Sequence, residues 1–125
     1  MAFGHRILVA DDNVDFATSF ALILRMLGNE VHVAHDGTEA FEAAAAFRPE
    51  FCFLDIGLPK LNGYDLAQRL REAPATRNSR LIVVTGWGQE KDRRRAQDAG
   101  FDHHMVKPVD PDEIEKLLRT ATGAA

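Results

Sequence analysis

Phe51-Cys52-Phe53-Leu54-Asp55-Ile56-Gly57-Leu58-Pro59 is an apolar run that closes on a carboxylate and then breaks into a turn. Consecutive apolar residues bounded by turn formers read as a strand buried on both faces, the kind found in parallel sheets. Other stretches share this form. Ile7-Leu8-Val9-Ala10, in a run beginning at Arg6, ends in Asp11-Asp12, and Leu81-Ile82-Val83-Val84 ends in Thr85-Gly86. A shorter run, His104 to Val106, ends in Lys107-Pro108. Val31-His32-Val33-Ala34 alternates only partly and reads as a strand nearer the sheet edge.

Between these strands the spacing predicts helices. Asn13 caps one that runs to about Leu27, with Val14, Ala17, Phe20, Ala21, Leu24 and Leu27 at three-four spacing and Gly28 as its stop. Asp36-Gly37-Thr38 turns into an alanine-rich helix, about Glu39 to Phe47, ended before Pro49. Asn62-Gly63 turns into a helix of about Tyr64 to Glu72, and a polar helix spans about Gln89 to Ala99. Asp110 caps the last helix, whose apolar stripe is Ile114, Leu117, Leu118 and Ala121. Strand and helix alternate throughout, which implies an α/β, doubly wound sandwich: a parallel sheet with helices on both faces. Ligands of such sheets bind outside the carboxyl ends of the strands.

A chain of 125 residues fits one domain, 1–125, with its core at about 6–120. A net charge of −4 provides no basic field for a polyanion, so direct nucleic-acid binding is not expected. Lys91 to Arg95 is basic, but Glu90, Asp92 and Asp98 interrupt it, as on a solvated helix face. The sole cysteine, Cys52, lies inside a strand pattern and reads as a buried, inert thiol. No leader pattern and no membrane-length apolar stretch is seen, so the expectation is a soluble, cytoplasmic chain. His103 and His104 alternate across a strand, which does not suit a zinc site.

Asp11, Asp12 and Asp55 at one sheet mouth would repel one another, so either one keeps a proton or a cation neutralises the set. Hard oxygen ligands suit Mg²⁺, with Mn²⁺ as a substitute. A carboxylate beside such a cation and a lysine is suited to attack a phosphoryl group, giving an aspartyl phosphate. Positioning and charge neutralisation are what that chemistry asks of a protein. The cation on Asp11 or Asp12 would take one phosphoryl oxygen, Lys107 a second, and Thr85 with nearby N–H groups a third. Gly57 and Gly86 leave room for close approach. Singly each residue is ordinary: an Asp after a strand is a turn former, a Thr is a good strand residue, and Lys-Pro is a common dipeptide. Their joint occurrence at successive strand ends is not ordinary.

From about Arg6 to Leu118 the chain resembles the response-regulator receiver domain of two-component signalling. The resembling pieces are Ile7 to Asn13, Phe53 to Pro59, Asn62-Gly63, Val84-Thr85-Gly86 and Lys107-Pro108. The resemblance implies a flavodoxin-like (βα)5 fold with strand order 2-1-3-4-5. It implies that Asp55 is the phosphoacceptor, served by a histidine kinase or a histidine phosphotransfer domain. Asp11, Asp12, Asp55 and the Gly57 carbonyl would bind Mg²⁺, while Thr85, Lys107 and the Gly86 backbone would contact the phosphoryl group. Thr85 and His104 would form the switch, and Lys107-Pro108 would be a cis peptide. Docking of the kinase would use Val14, Asp15, Thr18, Pro108 and Val109. The chain would be an acceptor rather than a turnover enzyme, monomeric or weakly dimeric, signalling by protein contact or as part of a larger protein. Leu54 to Gly63, Gly86-Trp87-Gly88 and Asp102-His103-His104 also resemble the receivers of hybrid histidine kinases.

The chain departs from the commonest family pattern in three places, the last of them a pair of residues. His104 stands where Tyr or Phe is usual, and its charge would make the switch pH-sensitive. Asn62 stands where Asp is common. Gly57 and Trp87 occupy the positions that tune phosphoryl hydrolysis. Gly57 has no side chain to orient water, and Trp87 either shields the site, slowing hydrolysis, or stands as a loop or partner-contact aromatic. Two rival readings remain. A phosphatase of the haloacid dehalogenase type would want an acid where Gly57 stands. A flavodoxin-like binding module would want a phosphate-cradling loop where Asp11-Asp12 would repel phosphate.

Overall fold

The computed structural model describes residues 4–86 and 90–123, with side chains described outside 90–93 and 120–123. The elements alternate as β1 (Arg6–Ala10), α1 (Val14–Met26), β2 (Glu30–Ala34), α2 (Gly37–Phe47), β3 (Phe51–Leu54), α3 (Gly63–Glu72), β4 (Arg80–Thr85), α4 (Glu90–Asp98), β5 (His103–Val106) and α5 (Pro111–Gly123). All strand pairs are parallel, in the order β2-β1-β3-β4-β5. Ala10 pairs with Ala34 and Leu54, Leu54 with Val83, and Thr85 with Val106. The residues that follow these strands therefore emerge along one edge.

Strand alternation divides the apolar runs between two cores. Ile7, Val9, Phe51, Phe53, Ile82 and Val84 face α1 and α5, where they meet Phe20, Leu24, Ile114 and Leu118. Leu8, Ala10, Cys52, Leu54, Leu81 and Val83 face the opposite layer, where they meet Ala40 of α2, Leu66 and Leu70 of α3 and Ala96 of α4. Burial on both faces is why the runs 7–10, 51–54 and 81–84 of β1, β3 and β4 are apolar at every position, whereas the edge strands β2 and β5 carry His32, His103 and His104. Burial also pushes the Cys52 thiol up to about 12, which leaves it protonated and unreactive at neutral pH.

Helix starts are set by side-chain caps. Asn13 accepts from the Phe16 N–H, Asp36 from Glu39 and Asn62 from Asp65, at 3.1, 2.7 and 3.0 Å. Each such cap contributes about 1 kcal/mol. Because Asp36 and Asn62 are caps, α2 begins at Gly37 and α3 at Gly63, earlier than the turn readings of Asp36-Gly37-Thr38 and Asn62-Gly63 implied. At the other end of α1, Leu27 is the C-cap rather than part of the helix. β2 starts at Glu30, β5 at His103, and β4 runs through Thr85, each longer than the apolar run alone suggested. Asp110 sits just before α5 and accepts from the Asp112 N–H at 2.9 Å. Gln89, Trp87 and the side chain of Ala121 lie outside what is described.

The loop after β3 is clamped between two helix starts. The Gly37 N–H donates to the Pro59 carbonyl at 3.0 Å and the Gly63 N–H to the Ile56 carbonyl at 2.9 Å. A Cβ on Gly37 would lie 1.7 Å from the Leu61 carbonyl oxygen, and one on Gly63 would lie 2.5 Å from the Asp55 carbonyl oxygen. Lys60, at φ 70°, brings its ammonium 3.5 Å from the Asp36 carboxylate.

At the opposite edge of the sheet, Arg71 of α3 joins several segments. Its Nε donates to the Gly100 carbonyl at 3.0 Å and its Nη1 to the carbonyls of Arg77 and Ser79 at 2.9 and 2.5 Å. Its Nη2 donates to Asp102 Oδ2 at 2.6 Å, and the same oxygen accepts the Leu81 N–H at 2.9 Å.

Candidate functional site

The Asp55 N–H donates to the Ala10 carbonyl at 2.9 Å, extending the β1–β3 ladder by one step beyond β3. That step sets Asp55 beside the Asp11-Asp12 pair. One carboxylate oxygen from each of Asp11, Asp12 and Asp55 lies within 4.8 Å of the other two. Asp11 is buried, Asp12 exposed and Asp55 half-buried, so the cluster opens to solvent on one side. Asp11 Oδ1 accepts the Asn13 N–H at 2.9 Å, and the Asp11 carbonyl accepts from His35 Nδ1 at 3.0 Å.

Lys107 reaches this cluster from the end of β5. Its N–H donates to the Thr85 carbonyl at 2.8 Å, and its ammonium donates to Asp11 Oδ2 at 2.7 Å. The Lys107-Pro108 peptide is cis, as the resemblance implied. Burial holds the Asp55 carboxyl above the usual carboxylate range, and the Asp11 charge pushes the same way. Lys107 opposes this, Asp12 adds to it, and the Gly57 N–H opposes it slightly. Three carboxylates against one ammonium leave an excess of negative charge. An all-oxygen donor set open to water fits a hard divalent cation of the Mg²⁺ class.

Residues 7–119, nearly the whole chain, match the response regulator receiver domain family. The chain belongs to that family. It is 33% identical over 114 residues to RpaA of Synechocystis, a DNA-binding dual master transcriptional regulator, covering 91% of this receiver and 47% of that protein. It is 33% identical over 113 residues to an uncharacterized 14.6 kDa protein of Leptolyngbya boryana, covering 90% and 86% of the two. A putative response regulator of Chloroflexus aurantiacus superposes with a TM-score of 0.87 at 29% identity, covering 94% of this receiver and 96% of that chain. The receiver domain of a Pseudomonas aeruginosa sensor histidine kinase superposes with a TM-score of 0.85 at 29% identity, covering 93% and 95%; it holds a magnesium ion in its active-site cleft. The receiver spans about half the length of several curated relatives, 47% in the first two. Family membership displaces the phosphatase and flavodoxin-like binding-module readings.

Within this receiver four of the expected site residues form two pairs, one on each side of the sheet. Asp11 and Asp55 line a tight crevice with Phe16, Phe20 and Phe53, on the α1 side of the sheet. Thr85 is buried and follows Val83 by two residues, and Val83 pairs with His104. By strand alternation Thr85 and half-buried His104 thus share the face toward α4. A Cβ on Gly57 would sit 3.8 Å from Asp55 Oδ2, so any larger residue there would stand against the acid. Gly86 is exposed, with nothing within 4 Å of where a Cβ would be. Val14, Asp15, Thr18 and Pro108 are exposed, whereas Val109 is half-buried and packs on the α1–α5 core. Trp87 lies outside the described residues.

Sequence reasoning missed Phe16. The Lys107 ammonium lies 4.3 Å from the centroid of its ring. Phe16 stacks on Phe20 with centroids 5.6 Å apart, and Phe20 meets Phe53 edge-on at 5.0 Å. The available signal was an aromatic pair at i, i+4 one turn after Asp11-Asp12. Reading only the core-facing positions of α1 passed over it. Among the described residues, two clefts of about 550 and 390 Å³ lie at the opposite edge around Asn78, Ser79 and Arg80, away from the acids. The acid cluster itself opens to solvent at exposed Asp12, with the tight crevice beneath it on the α1 side.

Among the described residues, no helix is long and apolar enough to cross a membrane.

Proposed function

We propose that Asp55 accepts a phosphoryl group from a phosphohistidine, on a histidine kinase or a histidine phosphotransfer domain, and that the modified chain signals by protein contact. The single observation that carries this is the meeting of Asp11, Asp12 and Asp55 within 4.8 Å, with the Lys107 ammonium 2.7 Å from Asp11. In the transfer, an ionised Asp55 oxygen forms the new O–P bond as the P–N bond breaks. The electron pair leaves on the imidazole, which takes up a proton from solvent.

Asp11, Asp12, Asp55 and the Gly57 carbonyl would hold Mg²⁺, the ion found in the Pseudomonas receiver, or Mn²⁺ in its place. When bound, the cation neutralises the carboxylates and draws charge from a phosphoryl oxygen. Lys107 would take a second oxygen, and Thr85 with the Gly86 N–H a third. Thr85 and His104 would carry the resulting shift, a role supported by their common face. Gly57 and Trp87 would set how long the phosphoryl group survives. Val14, Asp15, Thr18, Pro108 and Val109 would form the kinase footprint, supported by the exposure of the first four. A net charge of −4 favours output through protein rather than direct DNA contact by this chain, monomeric or weakly dimeric in the cytoplasm.

The test is incubation with acetyl phosphate and Mg²⁺, read by intact mass. Wild type is expected to gain one phosphoryl group and Asp55→Asn none. Failure of wild type to gain it, or an equal gain in the variant, rejects the assignment.

A further inference from the structure

The geometry points to Phe16 as a positioning residue for phosphoryl capture: its ring holds the Lys107 ammonium at the mouth, so the charge stays in reach when Asp11 turns to a metal. This role rests on Asp55 being the acceptor. In the structure Lys107 is held from two sides, by Asp11 Oδ2 at 2.7 Å and by the Phe16 ring at 4.3 Å. Those two attractions respond differently to a divalent cation. A cation on Asp11 neutralises the carboxylate and repels the ammonium, so that side of the grip weakens. The ring's attraction comes from its quadrupole and involves no ligand atom of the metal cluster. A lysine stem is flexible and well hydrated, so without the ring the ammonium would swing into water once Asp11 was engaged.

Phe16 can hold this position because it is itself fixed. It stacks on Phe20, which packs edge-on against Phe53 in β3, two residues before Asp55. The ring, the ammonium it holds and the acceptor carboxyl are thus referenced to one strand. A charge placed in advance costs little reorganisation at the moment of transfer, which is where such groups accelerate a reaction.

The test compares wild type, Phe16→Leu, Phe16→Met and Phe16→Tyr in the full chain. It follows the rate of labelling by acetyl phosphate at saturating Mg²⁺, Mg²⁺ affinity by calorimetry, and the Lys107 ε-CH₂ proton shifts by NMR. The Leu and Met variants are expected to label about threefold to tenfold more slowly, with Tyr restoring the rate because it keeps the ring face. The upfield ring-current shift of the Lys107 protons should persist in Tyr and vanish in Leu and Met. Mg²⁺ affinity should stay within about twofold in all, since the ring does not act through the metal ligands. In a Lys107→Ala background, Phe16→Leu should add no further slowing. Wild-type rates in both Leu and Met, or equal slowing with and without Lys107, would overturn the role. Those outcomes are distinct from failure of the acceptor assignment, in which wild type itself is not labelled at Asp55.

Discussion

Two acid–base pairs in this receiver have almost the same length and different surroundings. Lys107 lies 2.7 Å from Asp11 at the carboxyl edge of the sheet, and Arg71 lies 2.6 Å from Asp102 at the amino edge. Arg71 fills its fork with the carbonyls of Gly100, Arg77 and Ser79 besides Asp102, and Asp102 also accepts the Leu81 N–H. A planar guanidinium satisfied in this way has no better arrangement to move to. Lys107 is a compact charge on a flexible stem, held between a carboxylate and a ring, beside an acid whose charge is poorly compensated. Distance does not separate a staple from a movable charge; the number and rigidity of the other partners does.

The largest expected effect at the movable pair is on chemistry. Lys107→Ala should slow labelling of Asp55 by about 10²-fold, the scale of losing one preorganised stabilising group. It should also lower the urea midpoint, because buried Asp11 loses its counter-charge, and added Mg²⁺ should restore that midpoint. A variant that labels at the wild-type rate would erase the distinction between the two pairs.

At the staple the effect should fall on folding alone. Arg71→Ala is expected to cost about 2–3 kcal/mol in urea unfolding, since charge-assisted bonds are lost and acceptors are left unpaired. Its labelling rate should stay within about twofold of wild type, because Arg71 touches none of the acids at the mouth. Arg71→Lys should recover only part of the loss, since the fork rather than the charge binds the carbonyls. Full recovery by lysine would mean that the amino-edge pair is a simple ion pair after all.

The smallest effect concerns Asp55 and pH. Its carboxyl is held up by burial and by Asp11, so the folded chain binds its proton more tightly than the unfolded chain. Stability is therefore lost as pH rises from the unfolded carboxylate value, about 3.9, through the raised folded value, and the penalty is constant above it. Asp55→Asn should raise Tm at pH 7, and the gain should shrink toward nothing below about pH 4. The rate of labelling should fall over the same window as pH drops, because only the ionised oxygen attacks. An equal Tm gain at pH 3 and pH 7 would assign it to something other than charge.

Much of this architecture was legible because parallel strands buried on both faces are apolar throughout. The ends of three such strands therefore stand out at Asp11, Asp55 and Thr85, while Lys107 follows the shorter edge strand β5. In-register pairing then brings those ends to one edge without further information. Strand order came through family resemblance, because nothing in run spacing distinguishes 2-1-3-4-5 from other parallel orders. Helix starts were displaced because Asp36 and Asn62 use, as caps, the same side-chain chemistry that marks turns. Phe16 over Lys107 depends on the rotation of α1 and on side-chain direction, which periodicity does not encode. The Arg71 network joins residues 71, 77, 79, 100 and 102, a set with no local pattern.

Gly37 and Gly63 make the loop after Asp55 intolerant in a way unrelated to phosphate. A Cβ at either glycine would run into main chain, the Leu61 and Asp55 carbonyl oxygens, which no side-chain rearrangement relieves. In a saturation library sorted only for folded protein, both positions would be swept back to glycine, while Asp55→Asn would pass unnoticed. Sorting the same library for signal output would deplete both classes. Subtracting one enrichment map from the other would therefore separate residues that build the receiver from those that speak for it.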